Sequence, residues 1–169
     1  MPFRPAFLGL LAALVLCGCG HYQLGTTGQL RFSTLYVTPV ANKTMLPQAQ
    51  AIVSTQLREA LLRDGRISLA NSPAEADATL TVVLEDYHRD VRSAREDDTG
   101  LARKFALTLG ARCTLHDNRG SRDLFAGRVV SVSRDAFTDG GQLQSEYQAL
   151  PLLAEALAGK VSHAVLDVW

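Results

Sequence analysis

The sequence KFALTLGARCTLH, residues 104–116, alternates between apolar and polar side chains over almost its whole length. Because successive side chains of a β-strand point to opposite faces of a sheet, the pattern predicts an antiparallel strand with one buried face. The buried side would carry the apolar positions, which are Phe105, Leu107, Leu109, Ala111, Cys113 and Leu115. A face of this kind needs a covering layer from elsewhere in the chain.

Other segments read as strands of the same sheet. The turn signal Asp117-Asn-Arg-Gly120 joins the 104–116 strand to a following strand as a hairpin. Ala41 to Thr44 is interpreted as a loop, in which Asn42 and Thr44 provide turn and helix-start capping. The further predicted strands are 34–40, 66–70, 77–91 and 124–134.

Two amphipathic segments can supply the cover. Between Pro47 and Gly65 the apolar residues recur at helical spacing, and Gly65 suits the left-handed position after a helix. A second helical stripe begins at Leu150, and Pro151 is expected to start that helix rather than to kink it. The predicted fold is α+β, a two-layer sandwich with two helices on one face of a mixed, mostly antiparallel sheet of four to five strands.

The N-terminus has the features of a bacterial export signal. Arg4 supplies a positive charge, and residues 6–16 are uninterruptedly apolar, a length that suits a signal peptide and is short for a membrane span. Leu16-Cys17-Gly18-Cys19 resembles a lipobox, with an aliphatic residue three positions before Cys19 and a small residue directly before it. The alternative is a plain secretory peptide cleaved nearby.

The lipobox sets the expected organisation of the chain. Lipid on Cys19 would anchor the protein to a membrane, because each buried methylene contributes roughly 0.8 kcal/mol and several acyl chains hold firmly. Gly20 stands where an Asp would indicate retention in the inner membrane, so we expect the periplasmic side of the outer membrane. The expected divisions are a signal peptide at 1–18, a lipidated linker at 19–33 and a single α+β domain at 34–169.

Composition and motifs give no indication of catalysis. Lys plus Arg equals Asp plus Glu at 17 each, so no bulk charge favours nucleic acid. The four histidines are scattered without the spacing of a metal site, and the carboxylate pair Asp97-Asp98 lies in a polar loop. Cys113 reads as a small buried hydrophobe. We therefore expect no catalytic residue, no metal and no cofactor beyond the anchor on Cys19.

Several short motifs occur in a recognisable order. After the lipobox come Gly20-His-Tyr22, Leu35-Tyr-Val-Thr-Pro39 and Asn42-Lys-Thr44, then Arg63-Asp-Gly-Arg66 and Ala76-Asp-Ala-Thr-Leu80. Together they resemble the lipopolysaccharide-assembly lipoprotein family, also called LptE-like or rare lipoprotein B. The resemblance implies a non-enzymatic protein that plugs the lumen of the lipopolysaccharide-translocating β-barrel and contacts lipopolysaccharide. The alternative is a periplasmic lipoprotein that activates a cell-wall synthase.

Basic residues gather around the turn between the 77–91 and 104–116 strands. Arginine forks bind phosphates and carboxylates, which lipopolysaccharide carries, so this cluster is the predicted lipopolysaccharide-binding site. The alternative is a solvated hairpin tip whose cations pair with Asp90 and the acidic residues at 96–98. The five cations are Arg89, Arg92, Arg95, Arg103 and Lys104.

Overall fold

A computed structural model describes residues 30–94, 102–137 and 142–167. The predicted signal peptide, Cys19 and most of the linker lie outside these residues. The described helices are α1 (Ala49–Asp64) and α2 (Gln142–Leu166), and a 3-10 turn spans Pro73–Glu75. The described strands are β1 (Thr34–Val37), β2 (Ala41–Asn42), β3 (Ser68–Leu69), β4 (Ala78–Ala94), β5 (Ala102–Asp117) and β6 (Arg122–Phe137).

The strands form one sheet in the order β3-β1-β4-β5-β6, with β2 also paired to β4. The long strands β4, β5 and β6 are antiparallel neighbours, as the hairpin signals predicted. However, β1 pairs in parallel with both β3 and β4, and β2 pairs in parallel with β4. The sheet is therefore mixed rather than mostly antiparallel, because the connections through α1 return the chain in the same direction.

The prediction for residues 104–116 is confirmed on its apolar side. Leu107, Leu109 and Leu115 are fully buried, and Phe105 is 1% exposed. These residues belong to one core with the inward faces of α1 and α2, including Leu57 in α1. The two helices pack against each other, and the sheet closes the core from one side. The α+β two-layer architecture is therefore confirmed.

A bulge interrupts β4 after Leu84. Leu84 lies opposite Ala111, but Asp86 lies opposite Gly110, so Glu85 is an extra residue in β4. Before the bulge the even-numbered residues of β4 face the helices, and after it the odd-numbered residues do. The reason is that side chains alternate along a strand and one inserted residue shifts the alternation. A Cβ added at Gly110 would lie 3.1 Å from the Cβ of Asp86, so a glycine suits this close approach.

Helix α2 differs from the sequence prediction at its start. It begins at Gln142, nine residues before Pro151, which lies inside the helix. Proline leaves the carbonyl of Tyr147 without its helical donor. Both Pro151 and Tyr147 are exposed, so water can reach the unpaired group. By length and composition, 144–166 is the one described helix that could cross a membrane, but 56% of its apolar window is buried in the core.

The loop before α1 forms the predicted turn, but it does not cap the helix, because α1 begins after Gln48 without a side-chain cap. Asn42 accepts hydrogen bonds from the Thr44 amide at 2.9 Å and the Thr44 hydroxyl at 2.7 Å, and it donates to the Leu46 carbonyl at 2.7 Å. Ala41 and Asn42 were expected to lie in this loop, but they form β2, because their backbone pairs with Val83 and Leu84. Gly65 ends α1 with a φ of 75°, as predicted.

Asp77 connects the first strand to the long sheet. Its side chain accepts hydrogen bonds from the Ser33 amide at 2.8 Å, the Ser33 hydroxyl at 2.9 Å and the Thr34 amide at 3.1 Å. Arg119 completes the contacts with an ion pair. The amide of Ser33 is the first cause that lowers the pKa of Asp77, from 3.8 to about 2. We refer to Asp77 and its partners as the corner at Asp77. Phe32, which directly precedes Ser33, is 5% exposed and packs into the core.

The core assignment predicts different effects for two adjacent residues. Leu107 is fully buried, whereas Thr108 points to the open face of the sheet. Leu107→Asp should lower the free energy of unfolding by about 3 kcal/mol or more, because it buries an unpaired carboxylate. Thr108→Asp should lower the free energy of unfolding by no more than about 1 kcal/mol. Thermal melts compare the two, and equal stabilities would contradict the assignment.

The corner at Asp77 predicts an acid-sensitive contribution to stability. Asp77→Asn should lower the free energy of unfolding by about 2 kcal/mol at neutral pH, because it removes a charged acceptor of three hydrogen bonds. The folded pKa is lower than the unfolded pKa, so this contribution is present above about pH 4 and is lost as the pH falls towards about 2.

Urea unfolding of the wild type and Asp77→Asn at several pH values measures this effect. The matched control is Asp123→Asn, since Asp123 is an exposed carboxylate that pairs with His116 at 2.8 Å. Exposed pairs contribute about 0–1 kcal/mol, so the control should stay near the wild type. A stability difference for Asp77→Asn that does not shrink in acid would rule out the charge as its cause.

Candidate functional site

The candidate site lies at the end of the sheet where β4 turns towards β5. The bulge after Leu84 places Tyr87, Arg89 and Val91 on the helix-facing side of β4, opposite Leu109, Leu107 and Phe105 of β5. Without the bulge, Asp86 and Asp90 would face the helices instead. The bulge therefore determines which side chains of β4 can meet α2.

Arg89 is held against α2 and the core. Its guanidinium forms an ion pair with Glu146 of α2 and lies 5.8 Å from the centre of the Phe105 ring. The Arg89 side chain is 40% exposed and that of Glu146 is 18% exposed, so the pair lies at the edge of the core. The internal carboxylate of Glu146 thus already uses part of the hydrogen-bonding capacity of the Arg89 guanidinium.

Tyr87 joins the same network. Its hydroxyl donates a hydrogen bond to Glu146 at 3.2 Å. Burial is the main cause that raises the pKa of Tyr87 to about 12, and the negative charge of Glu146 raises it further. Glu146 therefore accepts from both residues and fastens the far half of β4 to α2.

Among the remaining predicted cations, Lys104 lies on the opposite face. Lys104 precedes Phe105 in β5 and points to the opposite side of the sheet, where it pairs with Asp135 at 2.8 Å and lies 5.7 Å from the Phe137 ring centre. Arg92 is exposed. Arg95 lies outside the described residues, and Arg103 is described only as backbone within β5. The structure therefore brings Arg89 and Lys104 to opposite faces of one hairpin.

A cleft of about 560 Å³ opens beside the network. It exists because α1 begins only at Ala49, so that α1 does not extend over the far half of β4 beside α2. Tyr87, Arg89 and Glu146 lie along one side. The other lining residues that contribute apolar surface are Met45, Leu46, Pro47, Tyr147 and Leu150.

Apolar side chains are unusually exposed around this end. Met45 is 94% exposed and Tyr147 is 56% exposed, both at the cleft. Val91 near the end of β4 is 65% exposed, and Phe137 at the end of β6 is 54% exposed. Grouped exposure of large apolar side chains marks interaction surfaces. This end of the molecule is therefore the part best suited to contact a partner.

Elsewhere among the described residues, the titratable and nucleophilic side chains form no catalytic arrangement. His88 lies between Asp86, at 3.2 Å, and Asp90, at 3.5 Å, on the open face of the sheet. No three metal-ligating side chains are placed together within the described ranges. Burial raises the pKa of Cys113 to about 11, which keeps that thiol protonated and unreactive. The Asp97-Asp98 pair lies outside the described residues.

A sequence model of the family "LptE: Lipopolysaccharide-assembly" matches residues 32–163. The chain belongs to the lipopolysaccharide-assembly LptE family. This family consists of lipoproteins that serve lipopolysaccharide assembly and is not a family of enzymes. No curated protein matches the chain in sequence.

Solved structures of several bacterial proteins share the fold of this LptE-family protein. An uncharacterised lipoprotein B from Nitrosomonas europaea has 16% identity and a TM-score of 0.56, over 87% of this chain and 88% of that one. A protein from Xanthomonas campestris has 13% identity and a TM-score of 0.61, over 83% and 86%. A minor lipoprotein from Acinetobacter baumannii has 15% identity and a TM-score of 0.54, over 80% and 94%.

Sequence reasoning missed Tyr87, Glu146 and Tyr147 as residues of this site. One signal was readable in the sequence, because the apolar positions of 77–91 are even-numbered up to Leu84, apart from Val83, and odd-numbered at Tyr87 and Val91. Such a change of parity indicates an inserted residue. The partner Glu146 had no comparable signal, since α2 was expected to begin after it.

Proposed function

We propose that this protein is an outer-membrane lipoprotein that plugs the lipopolysaccharide-translocating β-barrel and aids delivery of lipopolysaccharide to the cell surface. The observation that carries the proposal is the match to the lipopolysaccharide-assembly family over residues 32–163. The protein acts as an assembly and contact partner in this proposal, and no chemical step is assigned to it.

The open face of the sheet supports a position inside a barrel. The described helices pack on the other face, so the outward side chains of β4, β5 and β6 are available to a neighbour. Interiors of outer-membrane barrels are polar, and a plug needs a matching polar surface. The outward residues of the three strands include Thr79, Thr81, Thr108, Thr114, Ser131 and Ser133.

The proposed anchor is lipid on Cys19, which becomes the first residue once residues 1–18 are removed. The chain reaches the described domain at Leu30, a few residues before Asp77 receives the amides of Ser33 and Thr34. The anchored segment therefore joins the domain at the start of β4, whereas the cleft and the exposed apolar residues lie towards the end of β4. This arrangement leaves the hairpin end available to the barrel and its cargo.

Contact with lipopolysaccharide is proposed to involve the hairpin cations and the neighbouring cleft. Arg92 is exposed, and Arg89 borders the apolar cleft. Lipopolysaccharide combines phosphates with acyl chains, so a site that offers arginine beside an apolar cleft matches both parts of it. Lys104 lies on the other face and would contact a different part of a large ligand.

The plug proposal predicts a stable complex with a barrel. Tagged full-length protein, extracted from outer membranes in detergent, should retain one large β-barrel partner that mass spectrometry identifies as the lipopolysaccharide translocon. Cys19→Ser should lose acyl label in metabolic labelling and recover less of this partner, because the unlipidated chain is not held at the membrane. Recovery of a cell-wall synthase instead of a barrel would favour the alternative function.

The lipopolysaccharide proposal predicts a salt-sensitive interaction. The purified chain without its lipid should bind lipopolysaccharide, and Arg92→Glu/Arg95→Glu should weaken binding at low salt. The effect should diminish at moderate salt, because exposed charges are screened over roughly 8 Å at physiological ionic strength. The matched control is Arg63→Glu/Arg122→Glu, which makes the same charge change away from the hairpin. Equal binding by both variants would exclude the hairpin as the site.

A further inference from the structure

The first part of α2 is attached to the domain differently from the rest of the helix. We call residues 142–150 the front segment. Pro151 has no backbone amide, so the hydrogen bond that would join the Tyr147 carbonyl to the following turn is missing. The buried apolar side chains described in the front segment are Ala149 and Leu150, whereas beyond Pro151 buried apolar residues recur along the remaining helix. The earlier turns of the front segment therefore depend on polar contacts.

Polar contacts hold the front segment to the sheet. The Ser145 hydroxyl donates a hydrogen bond to the carbonyl of Phe137 in β6. The Glu146 carboxylate accepts a hydrogen bond from the Tyr87 hydroxyl at 3.2 Å and forms an ion pair with Arg89. Glu146 thus joins the front segment to β4 at the wall of the cleft.

The position of Arg89 does not depend on Glu146 alone. The backbone of Arg89 pairs with Leu107 of β5, and its guanidinium lies 5.8 Å from the centre of the Phe105 ring. A guanidinium binds carboxylate and phosphate oxygens through the same planar set of donors. Tyr87, whose pKa of about 12 keeps it protonated, can donate to either anion. A phosphate can therefore take the place of the Glu146 carboxylate while Arg89 stays at the edge of the cleft.

The cleft beside Arg89 suits an acyl chain. Its volume of about 560 Å³ falls in the usual range of ligand pockets, roughly 300–1,000 Å³. Met45, Leu46 and Leu150 contribute apolar surface to its walls. Exchange of one anion for another at Arg89 gains little by itself, so the burial of an acyl chain provides the net affinity. The cleft therefore favours a ligand that carries both a phosphate and an acyl chain.

We propose that a phosphate of lipopolysaccharide displaces the Glu146 carboxylate from Arg89 and Tyr87, and that this exchange releases the front segment from β4. The inference rests on the proposed contact with lipopolysaccharide and adds a regulation of that site. In the free protein Glu146 occupies these donors and keeps small anions away, because two anions beside one guanidinium repel each other. When the ligand binds, the Glu146 side chain turns to water, and the break at Pro151 lets the front segment move without the rest of α2.

Binding of purified lipopolysaccharide to the full-length lipoprotein in a neutral detergent tests the competition. Glu146→Gln should bind about two- to fivefold more tightly than the wild type, because the amide keeps the size of the side chain but removes the competing charge. Glu155→Gln is the matched control, since Glu155 is an exposed glutamate of α2 beyond Pro151, and its affinity should not change. Enzymatically dephosphorylated lipopolysaccharide should bind Glu146→Gln and the wild type equally.

Hydrogen exchange in the wild type tests the release and needs no variant. Lipopolysaccharide should make the amides of residues 146–150 exchange several times faster, whereas those of residues 152–166 should keep their rates. Inorganic phosphate should leave both sets unchanged, because it brings no acyl chain. Glu146→Gln without ligand should already show the faster exchange at 146–150, and thermal melts of the same sample establish that the domain is folded.

The proposal is overturned by equal affinities of the wild type and Glu146→Gln for lipopolysaccharide, or by unchanged or slower exchange at 146–150 when the ligand binds. If Arg92→Glu/Arg95→Glu still weakens binding in that case, the proposed contact with lipopolysaccharide stands and only the displacement of Glu146 is wrong. Absence of binding by the wild type and by Glu146→Gln alike would overturn both. An equal gain in affinity for vesicles that contain phosphatidic acid would overturn the assignment of the exchange to lipopolysaccharide.

Discussion

The structure depends on covering one apolar face of three long strands with two helices of unequal length. At about 3.3 Å per residue, the 17 residues of β4 extend about 55 Å. At 1.5 Å per residue, the 16 residues of α1 reach only about 24 Å and the 25 residues of α2 about 37 Å. The helices cannot cover the whole sheet, and the part that they leave incompletely covered is the far half of β4. The cleft, exposed Val91 and exposed Met45 are consequences of this mismatch.

The bulge at Glu85 is the second consequence of the same constraint. Beyond Leu84 the sequence places Asp86, His88 and Asp90 at the positions that would continue the buried face. Burying these groups without partners would cost several kcal/mol, so the inserted residue that turns them outward is strongly favoured. The residues turned inward, Tyr87 and Arg89, are amphipathic and find Glu146 on α2. The bulge thus replaces unpaired acidic groups on the helix-facing side of β4 with a polar network, which lies beside the apolar cleft.

Much of this fold could be predicted because local patterns determine it. The alternation of 104–116, the turn held by Asn42 and the left-handed Gly65 each depend on residues close in sequence. The start of α2 could not be predicted in this way. Pro151 is a typical first helical residue, and its place inside a helix is tolerated here because the carbonyl it frees faces water. The parallel pairing of β1 depends on Asp77, whose partners Ser33 and Thr34 are more than 40 residues away in sequence.

The candidate site was predicted only in part, because its geometry depends on how the strands alternate and pair. The cluster of cations is evident in the sequence, but a cluster in sequence becomes a cluster in space only if the strands keep one alternation. Arg89 lies after the bulge and Lys104 precedes Phe105, so one faces the helices and the other faces the open sheet. The hairpin therefore presents two different surfaces: an arginine beside an apolar cleft, and a lysine beside Asp135 and Phe137. A ligand bound at the cleft would therefore contact Arg89 and leave the surface around Lys104 exposed.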